Sequence, residues 1–266
     1  TGTANGSGGT SYSLSGADTA GCALSANDRI TVESTGSITT NDAHSIDNGT
    51  STGTSITNNG TLTVSSTGLP VDAAISNGVG GVINRIVNTG TITVNPGTTG
   101  VQNLGTVTLL RNTGTITATN NYAIENRGTM TVDNSSGTIS VTGLATHAIY
   151  SSSNTTITLN NTDGVISSET GTALQFNENS TINNTNGQIS ALDATALEIN
   201  GPVLGIFENS GGLITSANED GGDGTFNLDD QVAPMTFHGG TIRNTWADDT
   251  AVALFLGYGN ESEIKF

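Results

Sequence analysis

The chain has 266 residues and a net charge of −17, with 11% charged, 4% aromatic and 33% apolar residues. Such a charge excludes a binder of nucleic-acid phosphates, and so few apolar residues exclude an ordinary thick-cored globule. Ile, Val and Leu recur at regular spacing among Thr, Ser, Asn and Gly, which argues against a disordered Ser/Gly chain, because β-branched residues build strands.

Residues 1–28 show no clear repeat and are expected to form an irregular N-terminal coil or cap. The chain opens at Thr1 without a signal-peptide pattern, as a mature or excised fragment would. Cys22 is the single cysteine, so no intramolecular disulfide can form. A reducing cytosol accommodates that, and so does an exported protein that crosses a membrane unfolded.

From Arg29 onward a G-x-I anchor recurs. Its aliphatic slot holds Ile38, Leu62, Ile92, Ile116, Ile139, Ile166, Ile189, Ile214 and Ile242, with gaps of 23 to 30 residues and a mean of 25.5. A fixed period of this length marks a repeat architecture. An asparagine precedes the glycine in seven of the nine copies. Asn58, Asn88 and Asn112 sit two residues before it, while Asn134, Asn161, Asn184 and Asn209 sit three before it. Asn and Gly tolerate positive φ, so both spacings read as turns.

After each turn the residues alternate, as in Thr91 out, Ile92 in, Thr93 out, Val94 in, the period-2 mark of a half-buried strand. A second short strand precedes the turn, as in 82–87 and 108–111. A third recurrent piece ends in its own asparagines: Asn48, Asn77, Asn103, Asn126, Asn177 and Asn200, with Ser151 as the exception. Three strands per period without hairpin dipeptides imply coiling. The expected fold is all-β, a right-handed three-faced parallel β-helix (a β-solenoid) of about nine coils of about 25 residues, stacked at about 4.8 Å. In it, Ile stacks on Ile in the lumen and Asn on Asn at the corners, where amides bond along the axis.

The domain reading is therefore a cap at 1–28 and a β-helix at 29–266, with an enlarged loop or coil at 216–235. That departure carries Asp220, Asp223, Asp229 and Asp230 among glycines and is the candidate binding loop. Oxygen-rich loops suit calcium, but the spacing and terminal Glu of an EF-hand are absent, so a solvated loop is the default and no cofactor is expected. From Glu198 onward eleven acidic residues face only Arg243 and Lys265, a pattern that fits a solvated acidic face. The longest apolar run, 251–256, is too short for a membrane helix, so no insertion of this segment is expected. The chain breaks off on a strand, as if the natural protein continued.

Stretches such as "AISN…IVNTGTITV" and "AIENRGTMTV" resemble the passenger regions of bacterial autotransporters (type V secretion). The close "LGYGNESEIKF" is similar to the "LGxGNDxLxL" strand of those passengers. The resemblance spans roughly residues 29–266. It implies export, display on the cell surface and an outer-membrane barrel C-terminal to this segment. It further implies adhesion, aggregation, biofilm or virulence roles, with a host or bacterial surface protein, a glycan or a second copy as partner.

Parallel β-helices also include polysaccharide lyases and glycosidases, which keeps an enzyme reading open. Glycoside hydrolysis needs two carboxylates within about 5–10 Å. The pairs Asp133/Glu208 and Asp47/Glu125 share slots, but three coils apart, and no adjacent coils carry a carboxylate pair in one register. Arg85 and Arg111 lie on consecutive coils at different offsets, and His44, His147 and His238 are too dispersed to share a zinc. No catalytic residue and no metal ligand is assigned. Trp246 reads as packing for a terminal coil. A third reading comes from Thr61/Thr63, Thr91/Thr93, Thr115/Thr117 and Thr138/Ser140, which line one face like the TxT ladders of ice-binding solenoids.

Overall fold

In a computed structural model, residues 2–4, 8–66, 72–144, 147–177, 180–200, 204–217, 224–228, 235–246, 254–256 and 264–265 are described. They build a parallel β-solenoid of three sheets with twelve, ten and ten strands, and no helix occurs among them. One coil serves as the pattern. Val82–Asn88 lies on the first face, Thr91–Val94 on the second and Thr99–Asn103 on the third. Each strand pairs in parallel with its counterpart one coil before and after, as Ile92 does with Leu62 and Ile116. From Arg29 to Leu228, eight successive coils each add one strand to every sheet. At 4.8 Å per coil they form a rod about 40 Å long.

The N-terminal segment already joins this scheme. Thr10–Leu14, Ala17–Asp18 and Cys22–Ala23 pair in parallel with the strands of the following coil, one on each face. Gly2–Ala4 runs antiparallel against Thr10–Leu14 and covers that edge of the first sheet. A covered edge removes a row of unpaired backbone groups that would template aggregation.

Stacked aliphatic columns fill the lumen. Ile38, Leu62, Ile92, Ile116, Ile139, Ile166, Ile189 and Ile214 are all fully buried. Each such side chain is worth about 1.5–3 kcal/mol of transfer free energy. The column beside it holds Val64, Val94, Ala118 and Val141 and then thins toward the C-terminal coils to Ser168, Ala191 and Ser216. On those coils the buried Phe176, Phe207 and Phe226 enter from the other two faces, and Phe207 meets Phe226 edge-on at 4.8 Å. Large residues on two sides thus compensate for small ones on the third, as close packing requires.

Two asparagine ladders run along the corners. In the first, each Nδ2 donates to the next Oδ1, from Asn58 through Asn88, Asn112, Asn134, Asn161 and Asn184 to Asn209, at 2.8–2.9 Å. All seven side chains are fully buried. Each Nδ2 also faces a backbone carbonyl, such as Thr115 O for Asn88, which fixes the amide orientation. The second ladder runs Asn48, Asn77, Asn103, Asn126 and ends on the Ser151 hydroxyl. Asn177 and Asn200, expected to continue it, do not. The register places Phe176 and Ile199 opposite Ser151, and the two asparagines fall one residue later, outside the lumen. Asn177 there donates to the Tyr150 hydroxyl and Asn200 to Glu198.

The turn glycines also need a different account from the expected positive φ. Gly90 and Gly114 have ordinary φ, but a Cβ on Gly114 would lie 2.1 Å from the carbonyl oxygen of Gly90. Close approach of one coil to the next demands glycine there. Positive φ falls instead on the extra residue of the longer turns: Ser136 (61°), Asp163 (54°), Asn186 (53°) and Gly211 (71°).

Three substitutions test these geometries by their effect on stability. Asn58 Oδ1, at the start of the first ladder, has no hydrogen-bond partner, because Val32 occupies that slot one coil earlier. Thr54 supplies the hydroxyl that Asn48 needs at the equivalent place in the second ladder. Val32→Thr should therefore leave the urea midpoint unchanged or raised. Asn112→Leu takes from Asn88 Nδ2 its side-chain acceptor, leaving it Thr115 O alone, and leaves Asn134 Oδ1 without its donor, and should cost about 2–3 kcal/mol in the same titration. Separately, Ser136→Asn puts a residue tolerant of left-handed backbone at φ 61° and should add about 0.5–1 kcal/mol.

Candidate functional site

Stability resides in the inward residues, so function has the outward ones to work with. On the second face the outward columns are in register. Thr61, Thr91, Thr115 and Thr138 pair in one column, and Thr63, Thr93, Thr117 and Ser140 in the other. Neighbouring hydroxyls lie about 4.8 Å apart along the rod and about 6.7 Å apart along a strand. Thr117 and Ser140 come within 3.1 Å through their hydroxyls. The columns continue through Val165/Ser167, Gln188/Ser190 and Leu213/Thr215. No outward residue in these paired columns from Ser37 to Thr215 carries a charge.

At the C-terminal end of this face lies a trough of about 370 Å³. Ser140, Ser167, Ser190 and Thr215 line one side, and Ala191 and Ser216 form part of the floor. Ser168, Ala191 and Ser216 of the small lumen column all belong to the lining of the trough. Leu192, 56% exposed, stands on its rim.

The third face differs. Its strands have one outward residue each, and in register these are Asp47, Ser76, Gln102, Glu125, Tyr150, Gln175, Glu198 and Asn227. Beside this row Tyr122, His147 and Tyr150 stack, with ring centroids 5.0–5.8 Å apart and planes within 24°. Glu125 is buried and accepts from Gln102 Nε2 at 2.9 Å and from Arg127 Nε at 2.6 Å. Glu198 accepts from Gln175, Asn200 and Thr172. Burial, and then the Glu125 carboxylate, push the Tyr122 phenol above its ordinary pKa, so it stays a donor at neutral pH. Burial holds the His147 imidazole below its ordinary value, against the opposing pull of Glu198.

The named carboxylate pairs are too far apart for glycoside hydrolysis. Register places Asp47 and Glu125, Glu125 and Glu198, and Asp133 and Glu208 three coils apart in each case. That is about 14 Å, where an inverting pair needs about 6.5–9.5 Å. Asp133 instead lies 3.9 Å from Arg111. Among the described residues no three His, Cys, Asp or Glu side chains converge on a metal-sized point. His44 Nδ1 accepts from the Ala73 amide, His238 is exposed, and Trp246 is half-buried next to Thr245 of the trough. The Cys22 thiol is half-buried and pushed up in pKa by burial, then by Asp18 and Asp28, which disfavours the thiolate. Asp220, Asp223, Asp229 and Asp230 lie outside the described residues.

Sequence reading missed the row from Gln102 to Glu198. Its signal lies in the third recurrent piece: "AIEN", "AIYS", "ALQF" and "ALEI" align on their alanines and put Glu125, Tyr150, Gln175 and Glu198 in one outward slot. Compared with known protein families, curated proteins and solved structures, the chain matches none.

The stacked histidine gives a pH test. Its folded pKa is lowered, so the unfolded chain binds the extra proton first as pH falls. The stabilisation is complete above about pH 6.5 and is lost as pH falls through the folded value. Between about pH 7.5 and 5.5 the native chain should lose more stability in urea than His147→Phe, which keeps the stack and cannot titrate.

Proposed function

We propose that the chain is an adhesion or self-association module of an exported bacterial surface protein, a passenger β-helix displayed outside the cell. The observation that carries this reading is the second face, whose in-register hydroxyl columns carry no charge from Ser37 to Thr215 in a chain of net charge −17. Two such rods repel each other overall, and this face is where that repulsion is weakest. Hydroxyl columns repeated on successive coils offer many weak contacts that add along the axis. Between surfaces carrying many copies, such contacts sum by avidity rather than by single affinity. The resemblance of the repeats to autotransporter passengers supplies the setting.

A second reading has its own support. The Thr-x-Thr pairs are regular over four coils, Thr61/Thr63 to Thr138/Ser140, and such a lattice can order water. Thermal hysteresis or ice shaping by the purified chain would establish ice binding, and their absence would remove it.

The adhesion reading predicts a specific loss. Thr91→Glu with Thr115→Glu places two like charges on adjacent coils of the face. Cells displaying this variant should sediment or attach several-fold less than cells displaying the native chain at equal surface density. Equal sedimentation and attachment by the two would sink the reading.

A further inference from the structure

We infer that the third-face row from Gln102 to Glu198 is a binding site for a neutral, linear oligosaccharide lying along the rod. The inference deepens the adhesion reading by naming a ligand class and a site, and it rests on that reading only for its biological setting.

The first argument is the kind of side chain present. A sugar offers hydroxyls around its rim and C–H groups on its faces. Sites for such ligands combine aromatic surface with a few fixed polar groups. The chain has only four tyrosines, and two of them, Tyr122 and Tyr150, stand together on adjacent coils of this face. The described phenylalanine side chains are spent on packing: Phe176, Phe207 and Phe226 are buried, and Phe237 packs against the core. Around the two tyrosines the outward groups are amides and carboxylates: Gln102, Gln175, Glu198, Asn177 and Asn200.

The second argument is preorganisation. Gln175 and Asn200 hold Glu198 Oε1 at 3.2 and 2.7 Å, and Thr172 reaches Oε2 at 3.3 Å. An ionised carboxylate has about four acceptor positions, so Glu198 retains capacity for a ligand hydroxyl. Asn177 donates to the Tyr150 hydroxyl and fixes that ring. Glu125 is itself buried and acts as a positioning residue, anchoring Gln102 and the half-exposed Arg127 guanidinium. Side chains already held in place cost little further entropy on binding.

The third argument is charge and repeat. Glu125 and Glu198 against the single Arg127 disfavour uronates, sulfated glycans and nucleic acids. An extended peptide would add to a sheet edge, and these groups project from a sheet face. One polar rung per coil over four coil steps gives about 19 Å of regularly spaced contacts. A linear chain of similar repeat meets each rung with an equivalent group.

The test uses the purified chain and calorimetric titration with cellohexaose, xylohexaose, mannohexaose and chitohexaose. At least one should bind. Tyr150→Ala should weaken it about tenfold, as the loss of one well-placed aromatic contact does. Gln175→Ala should weaken it several-fold, and Tyr150→Phe, which keeps the ring, should retain most of it. Thr131→Ala, outward on the first face, should leave it unchanged. No binding of any of the four at about 10 mM, where even a Kd of 1 mM is saturating, overturns the proposal. So does binding that Tyr150→Ala and Gln175→Ala leave intact. Oligosaccharide binding in a chain whose displayed form neither aggregates nor attaches would sink the adhesion reading and leave this site standing. Aggregation that Tyr150→Ala does not disturb, without oligosaccharide binding, would do the reverse.

Discussion

A buried primary amide has two donors and an acceptor to satisfy, and in a narrow lumen its neighbours one coil away are the groups within reach. The asparagine ladders meet that demand by repetition. Asn88 donates to Asn112 and accepts from Asn58, so each member exists in its bonded form because the next coil carries the same residue in the same register. Much of the remaining structure depends on this constraint. The amides bridge coils at 2.8–2.9 Å, the turn beside them must bring backbones within reach, and the glycines at 90 and 114 leave room for it. A one-residue slip on any coil would turn every inward Ile outward and break two ladder bonds at once. The register is therefore over-determined, and a chain with few apolar residues still reaches a single structure.

The constraint is local to each step, so the coil type can change along the rod if the changes are coordinated. They coincide near the fifth of the eight coils, Thr129 to Ser151. The extra turn residue first appears at Ser136, with positive φ. The second ladder ends at Ser151, whose hydroxyl takes the last amide donor and meets Thr155. One coil later Ser168 replaces valine in the lumen column and Phe176 takes the former asparagine slot. Loss of an amide ladder frees space that an aromatic ring fills, and the ring in turn tolerates small residues across the lumen. The trough at Ser140–Thr215 and the Tyr122–His147–Tyr150 stack both lie at this junction.

The repeat was legible in the sequence to the residue where one slot is filled by one type. The first ladder could be read directly, since every member precedes the G-x-I anchor by two or three positions. The second was misread past Ser151 because alignment on asparagine is ambiguous when asparagine is common. Asn177 and Asn200 sit one residue beyond the slot, and only alignment on Ala123, Ala148, Ala173 and Ala196 gives the true register, which backbone bonds such as Ile149 N to Ala173 O fix. The glycine role was hidden for a different reason. Close approach between coils is a property of two chain segments some 24 residues apart, and a single turn does not reveal it. The outward row on the third face was hidden because its members, Gln102, Glu125, Tyr150, Gln175 and Glu198, are not of one residue type.

That last difference separates the two kinds of outward surface. On the second face the same hydroxyls recur on successive coils, which suits a partner that is itself extended and indifferent to position. On the third face the rungs differ from coil to coil and are tied to one another by hydrogen bonds, as Gln102 is to Glu125 and Gln175 to Glu198. Neither pattern is required by the lumen, since outward positions accept Thr, Val, Gln or Leu without changing the register, as Thr138, Val165, Gln188 and Leu213 do in one column. Positions that the fold leaves free can carry a contact without cost to the lumen. The repetitive face is accordingly assigned the proposed contact spread along the axis, and the irregular, preorganised one the proposed contact localised at the junction of the two coil types.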